Sequence, residues 1–196
     1  MPPQTRDQVL DAFLACLARF GMTKTTLDDV AREAGCARAT VYRYFPNKQV
    51  LAAAAVTREA DALGAAVVAA TADAATLSDA VVTVIETGSR QLLESAALTT
   101  VVTIEPEIVL PFITFDAGAV LGEAAARRIV PAFMPFLAPD DALRLAEWVV
   151  RIGMSYLCSP DDGEIFDTAR VRSLVEEFIL PGFTRPVTNT EGVVPA

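Results

Sequence analysis

The 196-residue sequence contains no histidine, three cysteines and a single tryptophan. Without imidazole the chain lacks the commonest general base, so the prior for hydrolase chemistry falls. Cys16, Cys36 and Cys158 are odd in number, far apart and never in a CxxC pair, which leaves almost no support for a zinc site or a disulfide framework. No GxSxG, Walker or GxGxxG pattern occurs. No metal, no cofactor and no enzymatic activity is therefore expected. Long apolar runs are missing too. The longest uncharged stretches, between Asp61 and Asp73 and between Arg128 and Asp140, fall short of the roughly 20 apolar residues that a membrane span needs. The start, MPPQTRDQV, has no basic segment followed by an apolar one and does not read as a secretory signal. The expectation is a cytoplasmic protein with no membrane partner.

What is present is apolar and unevenly charged. Hydrophobic residues make up 53% and charged residues 21%, with a formal charge of -9. Residues 1 to 50 hold seven Lys or Arg against five Asp or Glu, a balance of +2; residues 51 to 196 hold nine against twenty, a balance of -11. The two segments read as modules with different partners.

The pattern is helical throughout. Thr5 with Gln8 reads as a capping box, followed by Val9, Leu10, Phe13, Cys16, Leu17 and Phe20 at helical spacing and by Gly21 as a stop. Cys16 lies on that stripe and reads as a packing residue. Thr26 and Asp29 form a second capping pattern, Leu27, Val30, Ala31 and Ala34 follow, and Gly35 closes the helix. Only Cys36 and Ala37 remain before a third helical pattern begins at Arg38, so tight a connection being what a helix-turn-helix looks like in sequence. Beyond Asn47, strand signals are weak. Helices are expected near 47–71, 76–97, 105–116, 118–134, 140–158 and 165–180, with prolines interrupting the middle ones and a loose tail after Gly182.

A turn of about 100° per residue puts Ala37, Val41 and Phe45 on the packed face of the third helix. Ala39 and Arg43 then lie opposite, flanked by Thr40 and Tyr42, with Arg38 and Tyr44 at the edges. That face is polar-tipped and carries no acid, although the chain is acidic. A guanidinium can donate a bidentate pair to guanine, hydroxyls reach phosphates, and a small residue admits the helix closely into the major groove. Lys48 opens the next helix, and Thr25 and Thr26 precede the second, where helix ends already favour an anion.

These residues carry a resemblance. TTLDDVAREAGCARATVYRYFPNKQVL, residues 25 to 51, resembles the DNA-binding signature of the TetR family of bacterial transcriptional regulators. The resemblance implies an all-α protein: a three-helix DNA-binding domain with a helix-turn-helix at 1–46, then a helical-bundle ligand-binding and dimerisation domain at 47–196. It implies that Thr25, Thr26, Arg38, Ala39, Thr40, Tyr42, Arg43, Tyr44 and Lys48 sit where such proteins contact double-stranded operator DNA. A hydroxyl residue often starts the recognition helix; here Ala37 stands in that place, so a cap is missing.

The second module supports classes only. The helix at 140–158 is apolar around most of its circumference and, with Val171, Leu174, Val175, Phe178 and Ile179, would suit the four-helix seam of a homodimer that the family implies. Two-fold pairing would double the few base contacts of one short helix on a palindromic site. The middle helices supply an apolar set, and Glu86, Arg90, Thr103, Phe112, Phe115, Trp148 and Arg151 are candidates to line a pocket for a hydrophobic or amphipathic small-molecule effector. The reading is thus a ligand-responsive regulator, a repressor released by its effector. Two alternatives stand beside it: a DNA-bound factor that recruits protein and binds no small molecule, and a redox sensor acting through Cys36.

Overall fold

The computed structural model describes residues 3–105, 107, 118–158 and 167–184, and every regular element among them is helical. Helix α1 spans Pro3–Lys24. It begins before Thr5, so the capping box expected at Thr5 and Gln8 lies inside the helix. Proline suits a first turn because its missing N–H would have had no partner there. Val9, Leu10, Phe13, Cys16 and Leu17 are buried as their spacing predicts, whereas Phe20 is exposed with the Arg19 guanidinium over its ring. Burial, then the nearby Glu33 carboxylate, pushes the Cys16 thiol up from its ordinary value, which suits a packing residue. The helix breaks at Gly21, whose φ of 75° and ψ of 177° lie in a region essentially restricted to glycine.

Helix α2 is Leu27–Glu33, and the capping box expected at its start is complete. Thr26 Oγ1 accepts from the Asp29 amide at 3.2 Å while Asp29 Oδ2 accepts from the Thr26 amide at 3.2 Å. The Thr26 hydroxyl bond, then the Arg32 bond, hold the Asp29 carboxyl below its ordinary value. Thr26→Ala is expected to cost about 1 kcal/mol of stability, and Thr26→Ser to restore most of it, as read from chemical denaturation. At the other end the Gly35 amide donates to Arg32 and the Cys36 amide to Ala31, with Gly35 at φ 62°, the left-handed closure that glycine favours. Helix α3, Arg38–Tyr44, follows; its first turn has no side-chain cap at Ala37, as expected.

Helix α4, Lys48–Ala70, starts from Asn47, whose side chain accepts from the Val50 amide. It belongs to two cores. Leu51 and Ala55 pack with Phe13, Val30, Val41 and Phe45, while Val67 packs with Val81, Phe133, Leu145 and Val175. The packing thus passes from one module to the other along α4, after the boundary expected at residue 46.

Helix α5, Leu77–Glu94, ends earlier than the expected 97. Ser95 adopts extended backbone, its side chain accepts from the Leu98 amide, and a separate α6 runs over Ala96–Ile104. The helix expected at 76–97 therefore ends at Glu94, and its last two residues, Ala96 and Ala97, open a second helix that Ser95 caps. The helix expected at 105–116 lies almost wholly outside the described residues. Helix α7, Gly118–Ile129, gives way to a 3₁₀ turn at Val130–Ala132 around Pro131. Helix α8 is Pro139–Cys158 and α9 is Thr168–Leu174, continued by a π-turn at Val175–Ile179 and the short α10, Pro181–Thr184. Val171, Val175 and Ile179 point into the second core, and Phe178 points out, 71% exposed. Among the described residues no helix is long and apolar enough to cross a membrane.

Candidate nucleic-acid interface

Helix α3 is seven residues long, about 10 Å at 1.5 Å per residue. Val41 and Phe45 anchor it, both essentially without solvent exposure. Ala37, expected on that packed face, is exposed instead, because it precedes the helix in extended backbone. The face turned to solvent carries Arg38, Ala39, Tyr42 and Arg43, with Thr40 and Tyr44 half-buried at its margins. Six of the nine residues expected to contact DNA therefore share one short helix, and Thr26 stands exposed at the start of α2.

The two arginines differ in setting. Arg38 pairs with Asp28 of α2 at 2.7 Å, which ties the recognition helix to its neighbour. The Arg43 guanidinium lies over the Tyr44 ring, 5.4 Å from its centroid, a placement that favours a delocalised cation. Arg43 and Tyr42 present a fork of donors and a phenol side by side on the exposed face.

Thr25 and Lys48 are placed differently from the rest. Thr25 is fully buried and its hydroxyl donates to the Gly21 carbonyl at 2.6 Å. Lys48 Nζ donates to the carbonyls of Met22, Thr23 and Thr25 at 2.8, 3.2 and 3.0 Å. An ammonium has three donors, and all three are used within the fold. Both residues complete the connection between α1 and α2. Sequence reasoning also passed over Glu105, the residue after α6. It is buried and accepts from the amides of Met22 and Thr23, the latter at 2.8 Å.

Burial alone would raise the Glu105 carboxyl; the hydrogen bonds from Thr23 and Met22 and the charge of Lys48 outweigh it and hold the group below its ordinary value of 4.5. A carboxyl depressed in the folded state stabilises the fold fully above its unfolded value and loses that contribution as pH falls through the folded value. The wild type should therefore lose stability on acidification through the carboxylate range, and Glu105→Gln should lose less. Thermal midpoints of the two proteins, followed from about pH 7 to pH 3, should converge in the acid range. A constant gap would show that the Glu105 charge plays no part.

The residues proposed from sequence for an effector pocket are dispersed. Arg90, Thr103 and Arg151 are on the surface, Trp148 is partly exposed, and Glu86 is half-buried and accepts from the Thr168 hydroxyl. Phe112 and Phe115 lie outside the described residues. A groove of about 440 Å³ between α4 and α7 is lined by Asp61, Gly64, Ala65, Val68, Ala69 and Arg128, and none of the five described candidates forms its walls. Cys36 is half-buried in the turn between α2 and α3. Among the described residues no group of three or more acidic or cysteine side chains could hold a metal ion.

Known proteins share this arrangement. Residues 9–55 match the family model of bacterial regulatory proteins of the tetR family, and residues 72–176 match a Tetracyclin repressor C-terminal domain. An uncharacterized HTH-type transcriptional regulator of Mycobacterium tuberculosis, Rv1255c, is 31% identical over 183 residues, covering 89% of this chain and 83% of its own. The HTH-type regulator AlkX of the same organism is 32% identical over 183 residues, covering 88% and 84%. Among solved structures, the TetR family repressor AlkX from a Dietzia strain, implicated in biodegradation of n-alkanes, superposes with a TM-score of 0.69 at 26% identity, covering 92% of this chain and 95% of that one.

Proposed function

Because the chain belongs to the TetR family of bacterial transcriptional regulators, we propose that it is a repressor that binds an inverted-repeat operator as a homodimer and leaves it when a hydrophobic or amphipathic small molecule binds the second module. The observation that carries the DNA-reading part is the outward face of α3. It presents Tyr42 and Arg43 on a helix locked from behind by Val41 and Phe45, and it presents no acidic side chain. In a protein of charge -9 such a face is placed for an anionic partner.

Pairing of two copies is supported by the large apolar groups left outside the second core. Trp148 of α8, Leu174 of α9 and Phe178 of the π-turn are all more than a third exposed, although neighbours on the same helices are buried. A second copy covering them would give the helical seam that members of the family use.

The effector class is supported by the apolar content of the second module and by the likeness to a repressor implicated in alkane biodegradation. An effector releases DNA only through a difference in its affinity for the bound and released conformations. The test is fluorescence anisotropy of the protein on its selected duplex, titrated with n-alkanes, long-chain fatty acids and their thioesters, and with short polar acids as controls. Release by at least one long-chain class and by none of the polar controls is the expected result. No release by any of them would favour a regulator whose second module binds protein.

A further inference from the structure

The end of α1 and its connection to α2 are held by side chains from distant parts of the chain. Gly21 turns the chain out of the helix at φ 75°, and the groups of Met22, Thr23 and Thr25 are satisfied by side chains from elsewhere. Glu105, 82 residues on from Thr23, takes the two amides. Lys48 takes three carbonyls, and the Thr25 hydroxyl takes that of Gly21. A backbone group that loses a charge-assisted partner loses stability, so both charged groups help to hold the turn in this shape.

The clamp has little slack. A Cβ at Gly21 would stand 2.7 Å from Glu105 Oε2 and 3.0 Å from its Cδ, so the absence of a side chain there lets the carboxylate approach as well as allowing the backbone angle. Helix α6 also lies along α1. Ala97 is part of the first core, and the Thr100 hydroxyl donates to the Ala18 carbonyl at 3.0 Å. Helix α6 follows directly on α5 across the single residue Ser95, and α5 packs in the second core. Glu105 thus stands where an element attached to the second module ends on the turn that leads into the helix-turn-helix.

We propose that Glu105 is a positioning residue for operator binding: together with Lys48 it fixes the angle of the helix-turn-helix relative to the second module, and so the separation of the two recognition helices in the dimer. This rests on the reading of the chain as a dimeric DNA binder. The residue touches no DNA; it acts through the Met22–Thr23 backbone. Its loss should leave the base preference within each half-site intact, because α3 and its side chains are unchanged. What should be lost is discrimination between spacings, because a half-site spacing is read only by a dimer whose recognition helices are held at a set distance.

The test uses the full chain and the duplex it enriches from a random pool, together with versions of that duplex whose central spacer is one or two base pairs longer. Glu105→Gln keeps the side-chain length but opposes an NH₂ to a backbone amide; Lys48→Met removes the other half of the clamp. Each variant should bind the selected duplex about tenfold more weakly than wild type, a loss typical of one charge-assisted hydrogen bond. The preference of each for the original spacer over the lengthened ones should also shrink by about tenfold, while its half-site consensus stays that of wild type. A purely structural role would instead reduce binding to all spacers alike. A second readout needs no DNA: amide hydrogen exchange at Met22 and Thr23 should quicken by about tenfold or more in Glu105→Gln, with protection in α8 unchanged. Unchanged spacer preference together with unchanged exchange would overturn the proposal. If the wild type itself enriched no inverted repeat, the DNA-reading premise would fall before any variant was made, and the exchange experiment would still decide whether the clamp exists.

Discussion

Phe45→Ala is expected to lower the stability of the folded chain by about 3 to 5 kcal/mol, the range for deleting a fully buried aromatic ring. Phe45 is 1% exposed and sits where the three helices of the reading module and the start of α4 converge, against residues such as Val41, Phe13 and Leu51. Its ring also lies beneath the Arg6 guanidinium at 5.5 Å and tilted against Tyr44 at 6.3 Å. Helix α3 is tied to α2 by the Asp28 pair with Arg38 and passes into α4 through Asn47. Since α4 runs through both cores and α6 lies on α1, the modules should unfold in one transition. A chain of this length shifts its midpoint by roughly 2 to 4 °C per kcal/mol, so calorimetry should show a single peak lowered by about 6 to 20 °C. Two separated peaks would mean that the modules are energetically independent despite the shared helix.

Arg43→Ala is expected to weaken binding to the selected duplex by about 1 to 3 kcal/mol per half-site contact, and to relax the choice of base at one position in each half-site. The expectation follows from the exposure of Arg43 on the outward face and from the fork of donors its guanidinium presents. The alanine removes nothing from the core, so the fold should be untouched and the thermal midpoint within experimental error of wild type. Binding titrations against single-base variants of the duplex measure the effect. An equal loss on all of them, with a flatter salt dependence, would show that Arg43 meets phosphate and not a base edge.

Much of the reading module is legible in the sequence because its signals are local. The Thr26 and Asp29 box, the glycine closure at Gly35 and the Val41 and Phe45 spacing each lie within one or two helical turns, and each appears in the structure where the pattern places it. Missing from the sequence is whatever joins residues far apart. Lys48 has the position of a phosphate contact by its place at the start of α4, yet its ammonium turns back to carbonyls more than 20 residues earlier. Glu105 precedes a proline after an apolar helix, and no spacing links it to Met22 and Thr23. Thr25 and Thr26 look alike in sequence, but one is buried beneath the turn and the other caps a helix in solvent.

The second module was less legible for a different reason. Its helices are rich in alanine and valine, so periodicity marks them as apolar without separating the side that meets the core from the side that meets a partner. In the last helix the structure draws that distinction: Val171, Val175 and Ile179 inward, Leu174 and Phe178 outward. Ser95 shows the same limit in one residue, since only its cap divides α5 from α6.

Whether the chain reads DNA sequence as a dimer is decided by selecting duplexes from a random pool with the purified protein at near-physiological salt, where non-specific electrostatic binding is suppressed. One inverted repeat, bound by two copies of the chain, should be enriched, and Arg43→Ala should enrich the same repeat with one position of each half-site relaxed. A folded, intact dimer that enriches no sequence would contradict that reading.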